Sequence, residues 1–368
     1  MIVHDNSSKA RAESVEPPSG GGGSAESPAE AVTRMAGGFA MTQVLVTAVR
    51  AGIADFMGER ECTADEIGRA LGLDVRALYR FMRMMVVLDL LVETGDRRFR
   101  LSDAGQLIRA DHPQSMHERI AYIGAINYPV AGAAIHSLRT GETAFDHVFG
   151  KPFFDHLAQE PALGRAFNGL MQRGVEARIA GVSGAHDFSQ ARHIVDLGGG
   201  NGALLASILA SAPRSTGTVF DLPGVIAQAR QRLADSPLGA RIGFAEGDLF
   251  AGGYPAGADL YILSNIIHDW NDDQAQVILR HCAQAMGPGG ELILVEELLP
   301  ASVLDSPSTV ANDYSMLLLT GGLERNEDEY RALLARSGLA LFQVTPFAVR
   351  SNDRRRKGHW ALLHCRAN

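Results

Sequence analysis

The chain has 368 residues, 46% of them apolar, which is enough to bury the cores of roughly two or three domains and excludes a chain that is disordered throughout. It carries 34 Lys and Arg against 42 Asp and Glu, so the formal net charge is −8 and no general attraction to nucleic acid or anionic lipid follows. No apolar run approaches the length of a membrane span and no secretion signal opens the chain, so we expect a soluble, cytoplasmic protein.

The composition changes twice along the chain. Residues 1–30 are rich in Gly, Ser, Pro and Glu without apolar periodicity, which predicts a disordered tail. From residue 31 to about residue 182, apolar residues recur at helical spacing, which predicts a mostly helical domain. Residues 183–368 then alternate between strand and helix patterns, and we expect them to form a separate ligand-binding domain.

A winged helix is predicted inside the helical domain. Thr63 and Glu66 have the spacing of a capping box at the start of one helix, and Asp74 can cap a second helix over residues 75–88. Residues 91–101 then have the pattern of a short hairpin with a Gly-Asp turn. Two helices joined by a turn and followed by a hairpin make up a winged helix.

Two functions are open for this winged helix. DNA binding would use the basic residues of the second helix and the wing, which are Arg76, Arg80, Arg83, Arg97, Arg98 and Arg100. Dimerisation would use residues 82–87, whose apolar surface exceeds what one core stripe needs. Because the chain as a whole is acidic, we expect this domain to pair two copies of the chain rather than to bind nucleic acid.

The last part of the chain has the pattern of a parallel sheet covered by helices on both faces. Five strands are expected, near residues 193–197, 217–221, 242–246, 259–264 and 291–296. Asn271 and Asn326 are placed to cap two of the helices. The runs 340–349 and 360–365 are joined by residues 354–357 without room for a crossover helix, so they predict an antiparallel hairpin at the edge of the sheet.

A glycine-rich turn follows the first of these strands, within residues 194–202, and a helix starts near Ala203. Gly198, Gly200 and Gly202 would let the backbone approach a ligand closely, and the helix N-terminus offers free N–H groups and a partial positive charge. Read with Ala203, the glycines also satisfy the loose dinucleotide fingerprint. The turn by itself therefore predicts a ligand but does not choose it.

Carboxylates at the ends of three successive strands favour one kind of ligand. Asp196 stands directly before the turn, where it would repel a pyrophosphate but could hold an amino group. Asp221 ends the second strand and can bind the hydroxyls of a ribose, and Asp248 follows the third, where it can accept from an adenine amino group. Together they describe adenosine joined to an amino acid. The predicted binding set also contains Leu222, Gly247, Leu249, Phe250 and Ser264.

These motifs resemble the S-adenosylmethionine-dependent O-methyltransferases of the plant caffeate and bacterial natural-product type. The segments that carry the resemblance are residues 195–202, 220–223, 247–250 and 267–270, within a match from about residue 31 to the end. The resemblance implies a Rossmann-like class I methyltransferase sheet, of the α/β class, together with a mostly helical winged-helix dimerisation domain. It also implies a homodimer, S-adenosyl-L-methionine as donor, S-adenosyl-L-homocysteine as product, and no metal.

A general base is expected after the fourth strand. His268 lies there, at the carboxyl edge where open α/β sheets bind ligands. A phenol with a pKa near 10 is mostly un-ionised at neutral pH, and an imidazole can take its proton if the other ring nitrogen is held by an acceptor. The resemblance implies Glu296 and Glu324 as those acceptors. Asp269 either caps the turn before Trp270 or touches the substrate.

The residues that would face the methyl acceptor come from the same resemblance. Phe167 and Met171 would belong to a segment that closes over donor and acceptor, while Met316 and Thr320 would line the acceptor pocket. Asn312 is expected to add a polar contact. Apolar side chains there suit a flat aromatic acceptor and keep water from a sulfonium. We therefore expect methylation of a hydroxyl, in particular a phenolic one, on an aromatic or polyketide-like secondary metabolite.

Other functions stay open at this point. The same fold can serve C- or N-methylation, or chemistry in which the bound donor is not consumed. A ligand-responsive DNA-binding regulator would use the winged helix, and a dehydrogenase would bind NAD at the glycine turn, although Asp196 argues against a pyrophosphate. Cys62, Cys282 and Cys365 lie far apart without CxxC spacing, so neither a disulfide framework nor a structural zinc site is expected.

Overall fold

The computed structural model describes residues 26–349 and 358–368, except for the side chains of Asn168 and of residues 172–177. The predicted tail therefore lies outside the described residues up to residue 25. The described part begins shortly before the first helix, which opens at Pro28.

The chain divides into two compact units between Gln106 and Leu107. This division falls well before residue 182, where the change of sequence pattern had suggested a boundary. The reason lies in the packing, because Phe145 from the helices after residue 106 shares a buried cluster with Leu318 from the C-terminal half. Those helices therefore belong to the same compact unit as the sheet.

The first unit is a winged helix preceded by two further helices. Its elements are α1 (Pro28–Arg50), α2 (Ile53–Met57), β1 (Cys62–Thr63), α3 (Ala64–Leu71), α4 (Val75–Val87), β2 (Leu91–Gly95), β3 (Arg98–Leu101) and α5 (Asp103–Gln106). Strands β1 and β2 both pair antiparallel with β3. Thr63 and Glu66 form the predicted capping box, and Asp74 accepts from the N–H of Ala77 at the start of α4. The structure thus has the winged helix that the sequence predicts.

Helix α1 begins at Pro28, earlier than the apolar pattern suggested, because Ser27 and Glu30 form a capping box. Its exposed apolar side chains include Val32 and Phe39. By length and composition alone this helix could cross a membrane, which the sequence had not led us to expect. Helices of soluble proteins pass the same test, so this finding assigns no membrane to the protein.

The second unit opens with a helical layer. Its elements are α6 (His117–Tyr122), a π-helix (Ile123–Asn127), α7 (Tyr128–Gly132), α8 (Ala134–Thr140), α9 (Ala144–Phe149), α10 (Phe153–Gln159) and the long helix α11 (Pro161–Ala185). Aromatic and aliphatic residues from these helices form one buried cluster, which includes Tyr122, Phe145, Phe153 and Leu157. This cluster supports the side of the unit on which Phe167 lies.

A seven-stranded sheet forms the centre of the second unit. Its strands are β4 (His193–Leu197), β5 (Thr216–Asp221), β6 (Ile242–Glu246), β7 (Leu260–Ser264), β8 (Glu291–Glu297), β9 (Leu339–Pro346) and β10 (Trp360–Ala367), in the order β6-β5-β4-β7-β8-β10-β9. The first five strands pair in parallel, as predicted. The predicted C-terminal hairpin is present, and its connection over residues 354–357 lies outside the described residues.

The hairpin lies at the edge of the sheet, as predicted. Within it, β10 pairs with both β8 and β9, and β9 forms the outermost strand. This position buries residues 361–365 of β10, all apolar except His364, on both faces of the sheet. A strand with apolar residues on both faces is stabilised more inside a sheet than at its edge.

Helices cover both faces of this sheet. They are α12 (Ala203–Ser211), α13 (Pro223–Leu233), α14 (Asp272–Ala285), α15 (Pro307–Leu319) and α16 (Glu327–Arg336). One buried cluster joins Ile278 of α14 and Leu333 of α16 to the sheet, and the other joins Leu205 of α12 and Ile226 of α13 to its opposite face. The predicted doubly covered α/β domain is therefore confirmed.

The strand order reverses at β4, since β5 lies on one side of it and β7 on the other. In open α/β sheets, ligands bind outside the carboxyl ends of the strands at such a switch point. The glycine turn follows β4 and a short 3₁₀ helix, Ile267–Asp269, follows β7. The fold thus brings the predicted ligand turn and His268 to the same edge of the sheet.

Candidate active site

The glycine turn exposes bare backbone at the start of α12. Gly198 has a φ of 68°, and a Cβ there would come within 2.5 Å of Cδ1 of Ile266. Gly202 caps α12 with a φ of 74°, and a Cβ there would lie 2.8 Å from Cδ1 of Leu233. Gly200 also has a positive φ, of 57°. These conformations disfavour side chains, so the turn stays open to a ligand's approach.

Asp196 lies in β4 directly beneath this turn and is 1% exposed. Its Oδ2 is buried and has no hydrogen-bond partner among the described residues. Burial, together with the nearby charge of Asp221, raises the pKa of Asp196 to about 7. A buried carboxylate oxygen without a donor is costly, and an ammonium group is the kind of ligand that would satisfy it.

Asp221, at the end of β5, closes the other side of the turn. Its Oδ2 accepts from the N–H of Gly200 at 2.9 Å and its Oδ1 accepts from the N–H of Leu222 at 2.7 Å. Burial raises the pKa of its carboxyl group. Leu222 itself is 53% exposed, which suits a residue that covers a ligand from outside.

The third strand-end motif lies next to these carboxylates. Asp248 is exposed, and its Oδ1 accepts from the N–H of Phe250 at 2.8 Å. A Cβ at Gly247 would clash with the ring of Phe220, so this position tolerates only glycine. Leu249 packs against the sheet cluster, and its carbonyl accepts from the phenol of Tyr254. The turn thus leaves the Asp248 carboxylate facing solvent.

Ser264 ends β7 at the same edge and is partly buried. With Asp196, Asp221 and the glycine turn, it completes the predicted donor set at the carboxyl ends of three neighbouring strands. The predicted donor residues therefore lie along one edge of the sheet.

His268 is buried, with 7% of its surface exposed, in the 3₁₀ helix after β7. Its Nδ1 lies 2.9 Å from Oε1 of Glu324, and since a carboxylate can only accept, Nδ1 donates. Its Nε2 lies 3.6 Å from Oδ1 of Asp269. The orientation of the ring is therefore fixed through Nδ1, and Nε2 is the nitrogen available for proton transfer.

The charge around His268 is strongly negative. Burial by itself lowers the pKa of the imidazole, but Asp269, Glu324 and Glu296 together raise it to about 10. Burial also raises the pKa of Asp269, and it raises that of Glu296 to about 7. In this state the ring is an imidazolium among carboxylates.

Glu296 occupies a different place from the one expected. The resemblance had paired it with the imidazole, whereas its Oε1 accepts from the backbone N–H of Ile267 at 3.0 Å. Its Oε2 is buried without a hydrogen-bond partner among the described residues. Through its bond to Ile267, Glu296 holds the backbone that carries His268, and it acts on the ring through its charge.

The segment after α15 places Glu324. Asn312, expected to face the acceptor, donates from Nδ2 to Oε1 of Glu324 at 2.5 Å, and the N–H of Glu324 donates to Oδ1 of Asp313 at 2.9 Å. A Cβ at Gly322 would clash with the carbonyl oxygen of His268, so only glycine lets this segment pass so close to the 3₁₀ helix. Asn312 thus orients the carboxylate of Glu324, which accepts the hydrogen bond from the imidazole of His268.

A row of aromatic contacts runs beside this site. Six aromatic rings form one connected set of contacts, with centroid distances from 4.6 to 6.4 Å. We call them the aromatic row, which consists of Tyr122, Phe153, Phe154, Phe167, Trp270 and Phe250. Phe167 contacts the rings of Tyr122, Phe153 and Phe154, and its place in a segment that closes over donor and acceptor stays a prediction. Met171 is 49% exposed, and the hydroxyl of Thr320 lies 3.7 Å from Sδ of Met316. These apolar residues form a surface suited to a flat ring.

Sequence reasoning missed two features of the site. Phe154 and Trp270 link the acceptor side to the Phe250 motif, and the only signal for this was that Trp270 follows His268. The second is Arg325, which is 1% exposed and bonds to Asp272 and to backbone carbonyls. No spacing rule distinguishes a buried arginine beside a glutamate from an exposed one.

Two family profiles match this chain. Residues 131–340 match the profile of the O-methyltransferase domain, which is more than half of the chain, and residues 33–110 match that of the O-methyltransferase dimerisation domain. The chain belongs to the O-methyltransferase family. The resemblance drawn from its motifs is thus confirmed.

Relatives of known activity cover most of this O-methyltransferase. A 3-amino-4-hydroxybenzoate 4-O-methyltransferase of Streptomyces cremeus is 37% identical over 86% of this chain and 86% of its own length. The crystal structure of an O-methyltransferase from neocarzinostatin biosynthesis, in complex with S-adenosyl-L-homocysteine and 1,4-dihydroxy-2-naphthoic acid, is 30% identical with a TM-score of 0.77, covering 89% of this chain and 96% of that one. The aclacinomycin 10-hydroxylase of Streptomyces purpurascens is also related, with 34% identity over 72% of both chains.

The family is S-adenosylmethionine-dependent, so the donor predicted from Asp196, Asp221 and the glycine turn is confirmed as its cofactor. The enzyme is a methyltransferase of the O-methylating kind. Which residues catalyse the transfer, and which molecule accepts the methyl group, are inferred from the contacts of the site.

Proposed function

We propose that this enzyme transfers the methyl group of S-adenosyl-L-methionine to a phenolic hydroxyl of an aromatic or polyketide-like secondary metabolite, with His268 as general base. The observation that carries the proposal is the buried imidazole whose Nδ1 is held by Glu324, next to the aromatic row. This arrangement leaves Nε2 as the nitrogen that accepts the hydroxyl proton.

The donor fits the residues at the glycine turn. Asp196 has an unpartnered buried oxygen for the donor's ammonium group, and a Cβ at Gly198 or Gly202 would clash with its neighbours, so the turn presents its backbone to the ligand. Asp221 would bind the ribose hydroxyls and Asp248 the adenine amino group. When bound, the donor supplies an electrophilic methyl group on a sulfonium sulfur.

The acceptor side favours a flat aromatic molecule. The aromatic row offers ring faces and edges, and Met171, Met316 and Thr320 add a flexible, mostly apolar surface. Two of the related enzymes act on or bind a hydroxybenzoate and a dihydroxynaphthoate. A hydroxyl on an aromatic ring is therefore the group that His268 would deprotonate.

His268 must be neutral when it acts as a base. With a pKa of about 10 in the ligand-free protein, the imidazole carries a proton at neutral pH. Entry of the positively charged donor into the same site would disfavour a second cation and so lower the pKa of His268 from this value. The protein residues then position the acceptor oxygen, and positioning supplies most of the rate.

Two copies of the chain are proposed to associate through the first unit. The dimerisation profile covers residues 33–110, and Met35, Phe39 and Val87 within it expose apolar surface. A partner chain would cover this surface, so the surface needs neither a membrane nor a nucleic acid to explain it. We therefore place the enzyme in the cytoplasm and assign no nucleic acid to the winged helix. Neither a metal nor a further cofactor is needed for the reaction.

The decisive test of the proposed base is the variant His268→Ala. Calorimetric titration should give S-adenosyl-L-homocysteine affinity near that of the wild type, while methyl transfer to a panel of phenols, measured by mass spectrometry, should fall by about 10²–10⁴-fold. The surface variant His147→Ala is the matched control and should keep full activity. Full activity of His268→Ala would remove His268 from the mechanism.

A related hydroxylase makes a second reaction worth testing on the same samples. If the wild type adds one oxygen atom instead of one methyl group, the fold serves chemistry without methyl transfer. Product mass separates these outcomes, and fragmentation locates the methyl group on oxygen, nitrogen or carbon.

A further inference from the structure

Arg325 is the largest fully buried side chain of the described residues, with 1% of its surface exposed. Its guanidinium makes five hydrogen bonds. Nε and Nη2 donate to Oδ1 of Asp272 at 3.0 and 2.9 Å, Nη1 donates to the carbonyls of Ile267 at 3.2 Å and Leu323 at 3.4 Å, and Nη2 donates to the carbonyl of Trp270 at 2.9 Å. A buried arginine with every donor group engaged rigidly fixes its partners.

These partners are the backbone on both sides of the candidate base. Ile267 directly precedes His268 and Trp270 follows Asp269, so two of the bonds hold the ends of the 3₁₀ helix. The third carbonyl, of Leu323, directly precedes Glu324. One guanidinium therefore ties together the two segments whose side chains meet in the 2.9 Å bond between His268 and Glu324.

Asp272 anchors the guanidinium to α14. It is the first residue of that helix, and its other oxygen accepts from Nη2 of Arg336 at 2.6 Å. The half-exposed Asp272 thus orients the Arg325 side chain from the solvent side, while the backbone carbonyls hold it from the buried side.

We infer that Arg325 is a positioning residue for methyl transfer, which sets the contact between His268 and Glu324 by binding the backbone of both segments. The inference rests on the proposed role of His268 as base. Arg325 itself touches neither the imidazole nor Glu324 through its guanidinium in any of these bonds. Its effect on the reaction therefore passes through the orientation of the ring.

The variant Arg325→Lys tests this inference, with Arg331→Lys as the matched control. Lysine keeps the positive charge, but its single ammonium cannot reach two helix-end carbonyls and Asp272 together. Arg331 also sits in the second unit and bonds to Glu327 and to the carbonyl of Leu341, away from His268. We expect kcat of Arg325→Lys to fall by about 10²-fold, with the acceptor KM and the S-adenosyl-L-homocysteine Kd changed by less than about threefold.

Two measurements separate positioning from a general structural role. In the His268→Ala background, Arg325→Lys should have no further effect on the residual rate, because the group it positions is already gone. The acid limb of the kcat/KM profile should also move to lower pH in Arg325→Lys, since a looser contact with Glu324 stabilises the imidazolium less. A purely structural residue would lower Tm and leave this limb and the rate per folded site unchanged, which would overturn the inference.

A second variant keeps the test decisive if Arg325→Lys does not fold. Asp272→Ala removes the anchor on α14, including the acceptor oxygen that asparagine would keep, and leaves all backbone bonds of Arg325 possible, so a smaller loss of kcat, roughly several-fold, and the same shift of the acid limb are expected. An unchanged profile in Asp272→Ala refutes the inference. Failure of the wild type to methylate any phenol would instead refute the proposed function, so the two failures are distinguishable.

Discussion

Replacing Glu324 by Gln should change the pH dependence of the enzyme in a defined direction. Glu324 accepts from Nδ1 of His268 at 2.9 Å in a site where both residues are buried. Glutamine keeps the shape and can still accept through its carbonyl oxygen, but it removes one negative charge. The imidazolium is then less stabilised, so the pKa of His268 falls.

The size of the shift follows from the charges around the ring. A rise from 6.5 to about 10 for His268 corresponds to roughly 5 kcal/mol in favour of the imidazolium. Asp269, Glu324 and Glu296 share this effect, and Glu324 also hydrogen-bonds the ring, so its loss should lower the pKa by about one to two units. The maximal rate should fall by about 10–10²-fold, because the ring is held less firmly in its productive orientation.

The assay is kcat/KM for the acceptor at saturating donor across roughly pH 6 to pH 10.5, which reports the pKa of the base in the donor complex. In the wild type, activity should rise with pH through the pKa of His268 in that complex, and in Glu324→Gln the rise should come about one to two units earlier. Asp273→Asn removes an exposed carboxylate from the first turn of α14 and controls for charge alone. A limb that stays in place, or moves to higher pH, refutes the assignment of His268 as base.

Two further predictions concern the donor side. The pKa of Asp196 in the folded protein, about 7, lies above its ordinary value of 3.8, so this carboxyl group lowers the stability of the fold increasingly as pH rises through this interval. Asp196→Asn should therefore raise Tm above pH 7 by several degrees, as measured by scanning fluorimetry. The same variant should bind S-adenosyl-L-homocysteine more weakly, as measured by calorimetry. An unchanged Tm would contradict the buried charge. Gly202→Ala and Gly253→Ala both place a side chain at positive φ, so each should lower the free energy of unfolding in urea by about 1–2 kcal/mol. Only Gly202→Ala, whose Cβ meets Leu233 at 2.8 Å, should also weaken ligand binding. Equal ligand affinities of the two variants would contradict this role of the turn.

Local rules predicted most of the fold because they depend on neighbours in sequence. The caps at Thr63, Asp74 and Asn271 all form as predicted, since each needs only an N–H three residues later. The position of β10 between β8 and β9 could not be predicted by local rules. The sequence shows that both faces of this strand are apolar, but it does not show which strands pair with it. The compact-unit division at Gln106 depended likewise on contacts between distant helices.

The site was predictable where chemistry follows strand ends, and less so where loops meet. Asp196 and His268 lie at the expected edge because parallel strands bring their carboxyl ends together. The hydrogen-bond partner of Glu296 could not be predicted from spacing, because the imidazole of His268 and the N–H of Ile267 belong to neighbouring residues and either could donate to it. For Arg325 the obstacle was similar, because its role depends on carbonyls from two segments that are far apart in sequence.

The charges of the ligand-free site also decide between the two ligands that a glycine turn can bind. The pKa values of Asp196, Asp221, Asp269 and Glu296 are all raised, mainly by burial, so this edge of the sheet holds carboxylates at a cost in stability. A dinucleotide would add the negative charge of a pyrophosphate beside Asp196 and increase that cost. S-adenosyl-L-methionine brings an ammonium and a sulfonium against a single carboxylate, and its net positive charge offsets part of the negative charge that the fold has buried.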